Sequence, residues 1–418
     1  FTYRKKKLLE KIIHEYNNEF EENYKLIKHI NWRIYMNIGI DKLAFFVPET
    51  YVDMTDLALA RNIDPAKFHI GIGQDQMAVN PISQDLITFA TNAAAEILTE
   101  EDKQAIDMVI VGTESSVDES KASAVVVHGL LDIQPFARSI ELKEACYATT
   151  AGLQMAKDHV YRHPERKVLV IATDIAKYGL NTGGEPTQGA GAVAMLIAAN
   201  PNILALNDDS VSLTQDIYDF WRPFGDTYPT VDGQFSNATY IEAFAKVWQE
   251  YARRTGLSFS DFAALAFHTP YTKMGKKALL PQLENESSEV QEHLLAQYEK
   301  GIVYNRRVGN LYTGSLYLSL ISLLENAENL KADDKIGLFS YGSGTVAEFF
   351  SGQLVDGFEK HLRKSEHQAL LDNRKKLSIP EYEEMFSESL DAHVDQKFSD
   401  PMPYSLAELK NSTRLYRK

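Results

Sequence analysis

The sequence predicts an α/β protein with buried sheets, and three observations lead to that prediction. Short apolar runs of strand length alternate with longer amphipathic stretches. Several of these runs end in small or polar residues, as strands do where open α/β sheets place ligand-binding groups. The same order of strand, helix and glycine-rich turn also occurs in both halves of the chain.

The strand-like runs are continuously apolar, which is typical of strands that are covered on both faces. They are AIDMVIVGTES, KVLVIATDIA, GAVAMLIAA, LAFHTPY and KIGLFSYGSG. The segment MNIGIDKLAFFVP, which opens at Met36, predicts one more strand. The highly charged segment from Glu284 to Gln297 predicts a solvated surface helix.

The repeated order of parts suggests an internal duplication. In the first half a strand ends at Glu114, and it is followed by the helix start EACYATTAGLQMAKD and the turn QGAGAVAMLIA. In the second half a strand ends at His268, and it is followed by GNLYTGSLYLSLISLL and YGSGTVAEFF. Two halves related by a pseudo-twofold axis would explain this order, and so would a chance likeness between two α/β halves.

Composition restricts the class of protein. The chain has 418 residues, of which 44% are hydrophobic, so it can bury a large core. No apolar run approaches the roughly 18 residues of a membrane-spanning helix. The net charge of -15 argues against nucleic acid or an anionic membrane as the main partner. A single cysteine forms neither an internal disulfide nor a thiolate zinc site, which indicates a reducing cytoplasm.

Residues 1–35 have a different character from the rest of the chain. They alternate charge clusters with short apolar pairs, and they contain neither Gly nor Pro. They also lack the apolar central run and small-residue cleavage site of a secretory signal. We expect a helical N-terminal extension that lies outside the fold and contributes nothing to catalysis.

Cys146 stands at a predicted helix start, in LKEACYATTAGLQMAKDHV. A helix N-terminus lowers the pKa of a nearby thiol and favours the nucleophilic thiolate. The small residues that follow would let this helix begin close to other backbone. A structural cysteine beneath an Ala-rich packing helix explains the same segment equally well.

Polar residues at other strand ends could act with this thiol. Glu114 follows a strongly apolar strand, where partial desolvation would raise its pKa toward values useful for proton transfer. It could equally cap the next helix. His268 ends FAALAFHTPY, and it is either a neutral core residue or an acid-base partner of the cysteine.

Further candidates are less distinctive. Asn310, in GNLYTGS, could donate to a carbonyl oxygen or cap a helix, and Ser343 lies in YGSG, where a backbone N–H could join that of Cys146 in an oxyanion hole. Lys273 and Lys277 would project from one helix face, as phosphate ligands or as ordinary surface lysines. No Walker, GxGxxG, HExxH, EF-hand or Cys/His pattern is present, so no nucleotide loop or metal site is predicted.

These segments together resemble the hydroxymethylglutaryl-CoA synthase family, in its bacterial form, from Met36 to Lys418. The matching segments are GIGQDQMAV, VGTESSVDESKA, EACYATTAGL, AKYGLNTGGEPTQGAGAVAML, DFWRP, AFHTPYTKMGKKAL, RRVGNLYTGSLYLSL and YGSGTVAEFFSG. The resemblance implies a thiolase-like α/β fold of two duplicated αβαβα halves in five layers, usually as a homodimer. The first half would be 36–201 and the second 202–418.

The resemblance also implies chemistry. Cys146 would take the acetyl group from acetyl-CoA, Glu114 would enolise the acetyl thioester, and His268 would orient and polarise acetoacetyl-CoA. Water would then release 3-hydroxy-3-methylglutaryl-CoA, a step of the mevalonate route that needs no cofactor. The positions that match substrate contacts are Asn310 and Ser343 at the acyl pocket, Lys273 and Lys277 at CoA, Thr187 and Ser236 at the product, and Asp64 and Pro65 at the adenine end. One departure is Ala148, which stands where many members have glycine and adds a methyl beside the acyl site.

Two rival functions remain open at this point. A decarboxylating condensing enzyme like ketoacyl-ACP synthase III shares the Cys, His and Asn set, but it generates its carbanion without a general base, so Glu114 argues against it. A non-catalytic acyl-CoA-binding protein of the same fold is the rival from another class. The presence of Cys146, Glu114 and His268 in their motifs argues against that protein.

Overall fold

Strands and helices alternate along residues 36–418, which are the residues that the computed structural model describes, and the expected extension at 1–35 lies outside them. The strands are β1 (Ile38–Phe46), β2 (Thr50–Asp53), β3 (Gln76–Val79), β4 (Ile106–Gly112), β5 (Arg138–Leu142), β6 (Lys167–Ala176), β7 (Gly189–Ala199), β8 (Leu204–Leu206), β9 (Val211–Thr214), β10 (Phe220–Trp221), β11 (Thr230–Val231), β12 (Ala264–Phe267), β13 (Lys335–Gly342), β14 (Val346–Leu354), β15 (Lys375–Lys376), β16 (Gln396–Lys397), β17 (Ser405–Lys410) and β18 (Thr413–Arg417). The α-helices are α1 (Met54–Ala60), α2 (Leu86–Ala95), α3 (Glu100–Ala105), α4 (Ser123–Leu130), α5 (Ala148–Arg162), α6 (Gly233–Thr255), α7 (Met274–Gln282), α8 (Ser288–Gly301), α9 (Asn305–Val308), α10 (Ser315–Asn326), α11 (Lys364–Asp372) and α12 (Ile379–Ser387). Each of the predicted strand-like runs forms a strand.

A ten-stranded mixed sheet has the order β12-β13-β14-β8-β1-β7-β6-β4-β5, with β9 paired to β14. In one arm β4 is parallel to β6, β6 is antiparallel to β7, and β7 is antiparallel to β1. In the other arm β12 is parallel to β13, β13 is antiparallel to β14, and β14 is antiparallel to β8. The two arms therefore repeat one topology, which confirms the predicted duplication, and β8 joins them by also pairing with β1.

Both faces of each arm of the sheet are buried. Alternate residues of a strand point to opposite faces, so two neighbouring residues show what covers each face. In β6, Val170 belongs to the central apolar cluster around α5 and α10, whereas Leu169 belongs to the cluster beneath α2 and α4. In β13, Leu338 belongs to the same central cluster, whereas Phe339 packs with α6 and α7. The layers are therefore helix, sheet, helix, sheet, helix, which explains the continuously apolar strands.

The charged segment that predicted a surface helix forms α8, but the helix begins later than Glu284. Ser287 is the N-cap, and its side chain accepts a hydrogen bond from the backbone of Val290. One face of α8 buries Leu294 and Tyr298. No helix in the described part of the chain is long and apolar enough to cross a membrane.

The last 55 residues or so return to the first arm. Strand β15 pairs with β2, and the backbone N–H of Leu406 donates to the carbonyl of Ser83. Asp85, the N-cap of α2, accepts hydrogen bonds from Arg414 and Tyr416. The C-terminal segment therefore stabilises the half of the molecule that carries Cys146.

Asp102 is a buried acid on which the first arm depends. Lys42 of β1 and Lys167 of β6 both donate to its carboxylate, at 2.6 and 2.8 Å. Burial alone would raise the pKa of Asp102, but the hydrogen bonds from Lys167 and Lys42 outweigh it and hold that pKa well below its usual range. The ionised carboxylate therefore stabilises the folded state.

We expect Asp102→Asn to lower the free energy of unfolding at pH 7 by about 3 kcal/mol, because it leaves two lysines without their partner. A depressed pKa contributes stability above the unfolded value of about 3.9, and that stability is lost as the pH falls through the folded value. The variant should therefore lose less stability than the parent on acidification below about pH 4. Thermal unfolding at several pH values measures both effects, and Glu100→Gln, at an exposed residue of the same helix, is the matched control.

Candidate active site

The turn that carries Cys146 lies between β5 and α5. The helix begins at Ala148, so Cys146 lies just before it rather than within its first turn, and the backbone N–H of Tyr147 donates to the carbonyl of Glu144. The end of β4 lies directly against the start of α5. A Cβ on Gly112 would come within 2.2 Å of the Thr149 hydroxyl, so only glycine allows this approach.

This approach brings the two predicted reactive groups into contact. The thiol of Cys146 donates to Oε1 of Glu114 at 3.4 Å. Both residues are partly exposed, as groups that meet a substrate must be. The sequence left a packing cysteine and a capping glutamate as alternatives, and the geometry favours a thiol paired with a carboxyl group.

The charge state of the thiol differs from the expectation. The sequence predicted a lowered pKa at a helix N-terminus, but burial, and then the nearby carboxylates of Glu114 and Asp174, raise the pKa of Cys146 well above its usual value. The prediction of a lowered pKa was therefore wrong, because burial, followed by the nearby acids Glu114 and Asp174, raises the pKa of Cys146 instead. Burial and the charge of Asp174 also raise the pKa of Glu114, as the sequence predicted. The thiol must lose its proton during the reaction, and Glu114 is the group in position to accept it.

Asp174 is a central residue that the sequence reasoning missed. One of its oxygens accepts hydrogen bonds from the backbone of Glu114 at 2.9 Å and from the hydroxyls of Thr113 and Ser115. The other oxygen accepts from the backbone N–H of Thr313, in the second half. Burial raises its pKa. Its place at the end of an apolar strand, the rule that singled out Glu114, could have identified it.

Asn310 is buried, and it joins this group through a tyrosine. Its amide nitrogen donates to the hydroxyl of Tyr178 at 3.0 Å, while its amide oxygen accepts from the backbone of Tyr312 and the hydroxyl of Ser315. The amide thus donates to a tyrosine hydroxyl rather than to a carbonyl oxygen, and the predicted contact with a substrate carbonyl stays a prediction. Burial raises the pKa of Tyr178.

Aromatic side chains that the sequence reasoning did not single out surround this point. The rings of Tyr178, Tyr312 and Phe220 pack edge to face, with centroids about 6 Å apart. Phe220 lies in the DFWRP motif and Tyr178 in the AKYGLN motif, so the family resemblance pointed to both. They form an aromatic cluster next to Asn310.

His268 follows β12 and is only 1% exposed. Its backbone N–H donates to the carbonyl of Phe339, and its carbonyl accepts from the hydroxyl of Tyr240. Burial lowers the pKa of His268 to about 3, so its imidazole is neutral at physiological pH. Its Nδ1 atom is buried and has no hydrogen-bond partner among residues 36–418. No hydrogen bond joins the ring to Cys146 or Glu114 in that part of the chain.

A cavity of about 1110 Å³ reaches Glu114 and the turn that precedes Cys146. Glu114, Ala145 and Ser343 all line it, as does Arg222, whose guanidinium donates to the carbonyl of Glu114. Ser343 thus shares a cavity wall with the nucleophile turn. The predicted oxyanion hole remains a prediction.

The residues expected at CoA lie on two neighbouring segments. The backbone N–H of Lys273 donates to the carbonyl of Ile72, which places it against the segment that follows Asp64 and Pro65. Lys277 lies in α7 and donates to the hydroxyl of Tyr271 at 2.9 Å. The predicted helix does not contain both lysines, because Lys273 is its N-cap.

The two residues expected at the product contact different parts of the site. The carbonyl of Thr187 accepts from the backbone N–H of Asn310, so Thr187 lies beside the acyl-pocket residue. The hydroxyl of Ser236 donates to Asp219 at 3.1 Å, and Asp219 also accepts from the backbone N–H of Gly344. Asp219, which the sequence reasoning did not single out, thus links Ser236 to the turn that carries Ser343.

Backbone strain lies immediately before the nucleophile. Ala145 has φ of 40°, in the left-handed region that costs a residue with a Cβ about 1–2 kcal/mol. Ala148, the alanine that departs from the family pattern, lies in α5 and is 1% exposed. At position 145, unlike position 148, glycine would therefore adopt the backbone conformation at a lower energetic cost than alanine does.

We expect Ala145→Gly to raise the rate of acetyl transfer to Cys146 by up to about tenfold, because glycine adopts this backbone conformation without the strain that alanine carries. Ala148→Gly should instead lower the free energy of unfolding by about 1 kcal/mol and leave the rate unchanged. Rapid-quench mass spectrometry measures the rate, and thermal unfolding measures the stability. A faster Ala148→Gly beside an unchanged Ala145→Gly would mean that a methyl contact, rather than backbone strain, limits the reaction.

Comparison with known proteins gives the family. A family model described as hydroxymethylglutaryl-coenzyme A synthase N terminal matches residues 34–202, and its C-terminal counterpart matches 207–299 and 282–416. The hydroxymethylglutaryl-CoA synthase of Enterococcus faecalis is 68% identical over 382 residues, which cover 91% of this chain and 100% of that protein. A 3-hydroxy-3-methylglutaryl-ACP synthase of polyketide biosynthesis from Bacillus subtilis is 32% identical over 85% of this chain and 89% of its own.

Solved structures agree with the sequence relatives. A hydroxymethylglutaryl-CoA synthase in complex with CoA superimposes with a TM-score of 0.89 at 48% identity, covering 91% of this chain and 100% of that one. MvaS in complex with 3-hydroxy-3-methylglutaryl coenzyme A gives a TM-score of 0.84 at 36% identity, covering 92% and 99%. The predicted thiolase-like fold and the resemblance are confirmed, and the chain belongs to the hydroxymethylglutaryl-CoA synthase family of enzymes.

Proposed function

We propose that this enzyme condenses acetyl-CoA with acetoacetyl-CoA and water to give 3-hydroxy-3-methylglutaryl-CoA and CoA, in the mevalonate pathway. The observation that carries the proposal is the contact between the Cys146 thiol and the Glu114 carboxyl group, within a chain that belongs to this family. Both thioesters are substrates, and the proposed chemistry uses neither a metal nor a resident cofactor.

In the first proposed step the Cys146 thiol loses its proton toward Glu114 and attacks the acetyl carbonyl. Coenzyme A takes that proton from Glu114 and leaves as a thiol, which returns Glu114 to its carboxylate form, and the acetyl group stays on Cys146. Glu114 then removes a proton from the acetyl methyl group. The raised pKa of Glu114 supports this role, because a carboxylate with a higher pKa is a stronger base.

In the second proposed step the enolate carbon attacks the ketone of acetoacetyl-CoA, and the new alkoxide takes a proton from Glu114. The neutral His268 orients the ketone by a hydrogen bond, which its buried, unpartnered ring nitrogen supports. Asn310 and Ser343 line the acyl pocket in this proposal, with Thr187 and Ser236 at the product. Water finally cleaves the thioester to Cys146.

Coenzyme A would lie across the two segments that the backbone of Lys273 joins. Lys273 and Lys277 would meet its phosphates, and Asp64 and Pro65 would border the adenine. The hydrogen bond from Lys273 to Ile72 supports this arrangement, because it brings both segments to one place. The match to a structure that holds CoA also supports it.

We also propose that the protein is a cytoplasmic homodimer. Each chain would divide into two halves, 36–201 and 202–418. Strand β5 is the edge of the large sheet, and Phe136 beside it is 89% exposed. An exposed edge with apolar side chains pairs readily with a second copy. The matched family ranges break near residue 202, which supports the division, and the single cysteine suits a reducing compartment. Light scattering in solution measures the mass of the assembly.

Loss of acetoacetyl-CoA enolate absorbance, with and without acetyl-CoA, tests the proposed reaction. We expect loss only when acetyl-CoA is present, with an acetyl adduct on Cys146 by mass spectrometry. If absorbance were unchanged while malonyl-ACP was consumed, the decarboxylating alternative would replace the proposal. If neither substrate pair reacted and no adduct formed, the protein would be a binding module.

A further inference from the structure

Hydrogen bonds join the first turn of α5 to the second half of the molecule. They are made by residues that closely follow Cys146. The hydroxyl of Thr150 contacts both Ser340 and Tyr317. The backbone N–H of Thr149 donates to the Thr313 hydroxyl at 2.9 Å. These contacts set where the helix begins relative to the second half, and therefore where the nucleophile lies.

Glu348 makes two further hydrogen bonds of this kind. It lies on β14 and is only 3% exposed. One carboxylate oxygen accepts from the hydroxyl of Tyr147 at 2.6 Å, and the other accepts from the amide of Gln154 at 2.7 Å. A charged acceptor makes stronger hydrogen bonds than a neutral one, and the geometry here uses both oxygens.

The side chain held by Glu348 is the neighbour of the nucleophile. Tyr147 directly follows Cys146, and a Cβ on Gly342 would come within 2.7 Å of the Tyr147 backbone nitrogen. The turn therefore packs against the β13–β14 hairpin, with Glu348 fixing the tyrosine ring at its far end. Since Ala145 is strained at φ of 40°, the turn does not hold this conformation by local preference. An outside restraint must supply the difference.

Tyr147 and Glu348 also lie apart from the side of Cys146 that faces Glu114. Tyr147, Gln154 and Glu348 line a separate surface cavity of about 470 Å³. The cavity that reaches Glu114 is lined by other residues. Glu348 thus acts on the nucleophile through Tyr147 rather than on substrate.

We propose that Glu348 is a positioning residue, which holds the Cys146 turn in its reactive geometry through Tyr147 and Gln154. This role rests on the proposed acetylation of Cys146. A displacement of about 1 Å at a reacting atom can cost roughly a hundredfold in rate. Glu348→Ala should therefore slow acetyl transfer about ten- to a hundredfold.

Glu348→Gln keeps the shape of the side chain and removes its charge, so it tests whether the hydrogen-bond geometry is sufficient. The amide oxygen can still accept from Tyr147, and the amide nitrogen can donate to Gln154 once that side chain turns its own oxygen inward. We expect this variant to acetylate within about threefold of the parent. Rescue by the isosteric residue distinguishes positioning from a requirement for charge.

A second buried acid in the chain offers a matched control. Glu325 is 6% exposed and accepts from the hydroxyl of Tyr304 at 2.6 Å, as Glu348 does from Tyr147. It ties α10 to His367 and does not contact the Cys146 turn. Glu325→Ala should lower the melting temperature and leave the acetylation rate unchanged.

The experiment is rapid-quench mass spectrometry of acetyl-Cys146 on the full chain with acetyl-CoA, together with melting temperatures. If Glu348→Ala does not fold, Tyr147→Phe removes the same hydrogen bond by deleting one oxygen, and Tyr304→Phe is its control. A parent-like rate in Glu348→Ala or Tyr147→Phe, with an adduct in the parent, would overturn the positioning role alone. Absence of an adduct in the parent would overturn the proposed function and this role with it.

Discussion

Cys146→Ala should abolish both the acetyl adduct and the consumption of acetoacetyl-CoA, with a fall in condensation rate of at least about 10⁴-fold. The chain contains no other cysteine, so no second thiol can take the acetyl group. The thiol also contacts Glu114. Without the thiol, no acetyl group is held beside Glu114 for it to act on. Mass spectrometry with acetyl-CoA and the enolate absorbance of acetoacetyl-CoA measure the two losses.

Cys146→Ser is the matched variant for this prediction. A hydroxyl preserves the size and hydrogen bonding of the thiol but ionises far less readily. We expect it to fold as the parent does and to form an adduct slowly or not at all. Condensation at the parent rate in either variant would show that acetyl transfer does not pass through this residue.

Glu114→Gln should separate the two halves of the reaction. The acetyl adduct should form more slowly, because the amide cannot accept the thiol proton, but it should still accumulate. Condensation should fall by about 10²–10⁴-fold, because the amide cannot remove the methyl proton. Formation of 3-hydroxy-3-methylglutaryl-CoA and accumulation of acetyl-Cys146 measure the two steps on the same sample. An enzyme that condensed at the parent rate without this carboxylate would have another base, and Asp174 would be the first to test.

The pH dependence gives a second measure of the same role. Burial, and then Asp174, raise the pKa of Glu114, so the carboxylate is protonated at low pH and ionises only as the pH rises through that raised value. Condensation by the parent should therefore increase with pH over this range, and Glu114→Gln should lose that limb. Glu119→Gln is the control, because Glu119 is an exposed carboxylate that lines the same cavity.

Local patterns in the sequence were sufficient for the fold class, and they made Glu114 and Cys146 candidates while leaving a capping glutamate and a packing cysteine open. The continuously apolar strands required cover on both faces, and the structure supplies it with three helical layers. Glu114 follows one such strand, which ends at Gly112, and Cys146 precedes a helix that packs closely on that strand, so both candidates stand where strands end or helices start. These features depend on short-range periodicity, which can be read directly from neighbouring residues.

Only the tertiary structure decided the charge state of the thiol and the support of its turn. The pKa of Cys146 is raised because burial and the acids Glu114 and Asp174 act together, and Glu114 follows β4 whereas Asp174 lies in β6. Glu348 reaches Tyr147 across 201 positions of the chain, and no local pattern links the two. Electrostatic and hydrogen-bond energies depend on distance in space, so what they determine appears only when the halves are packed together.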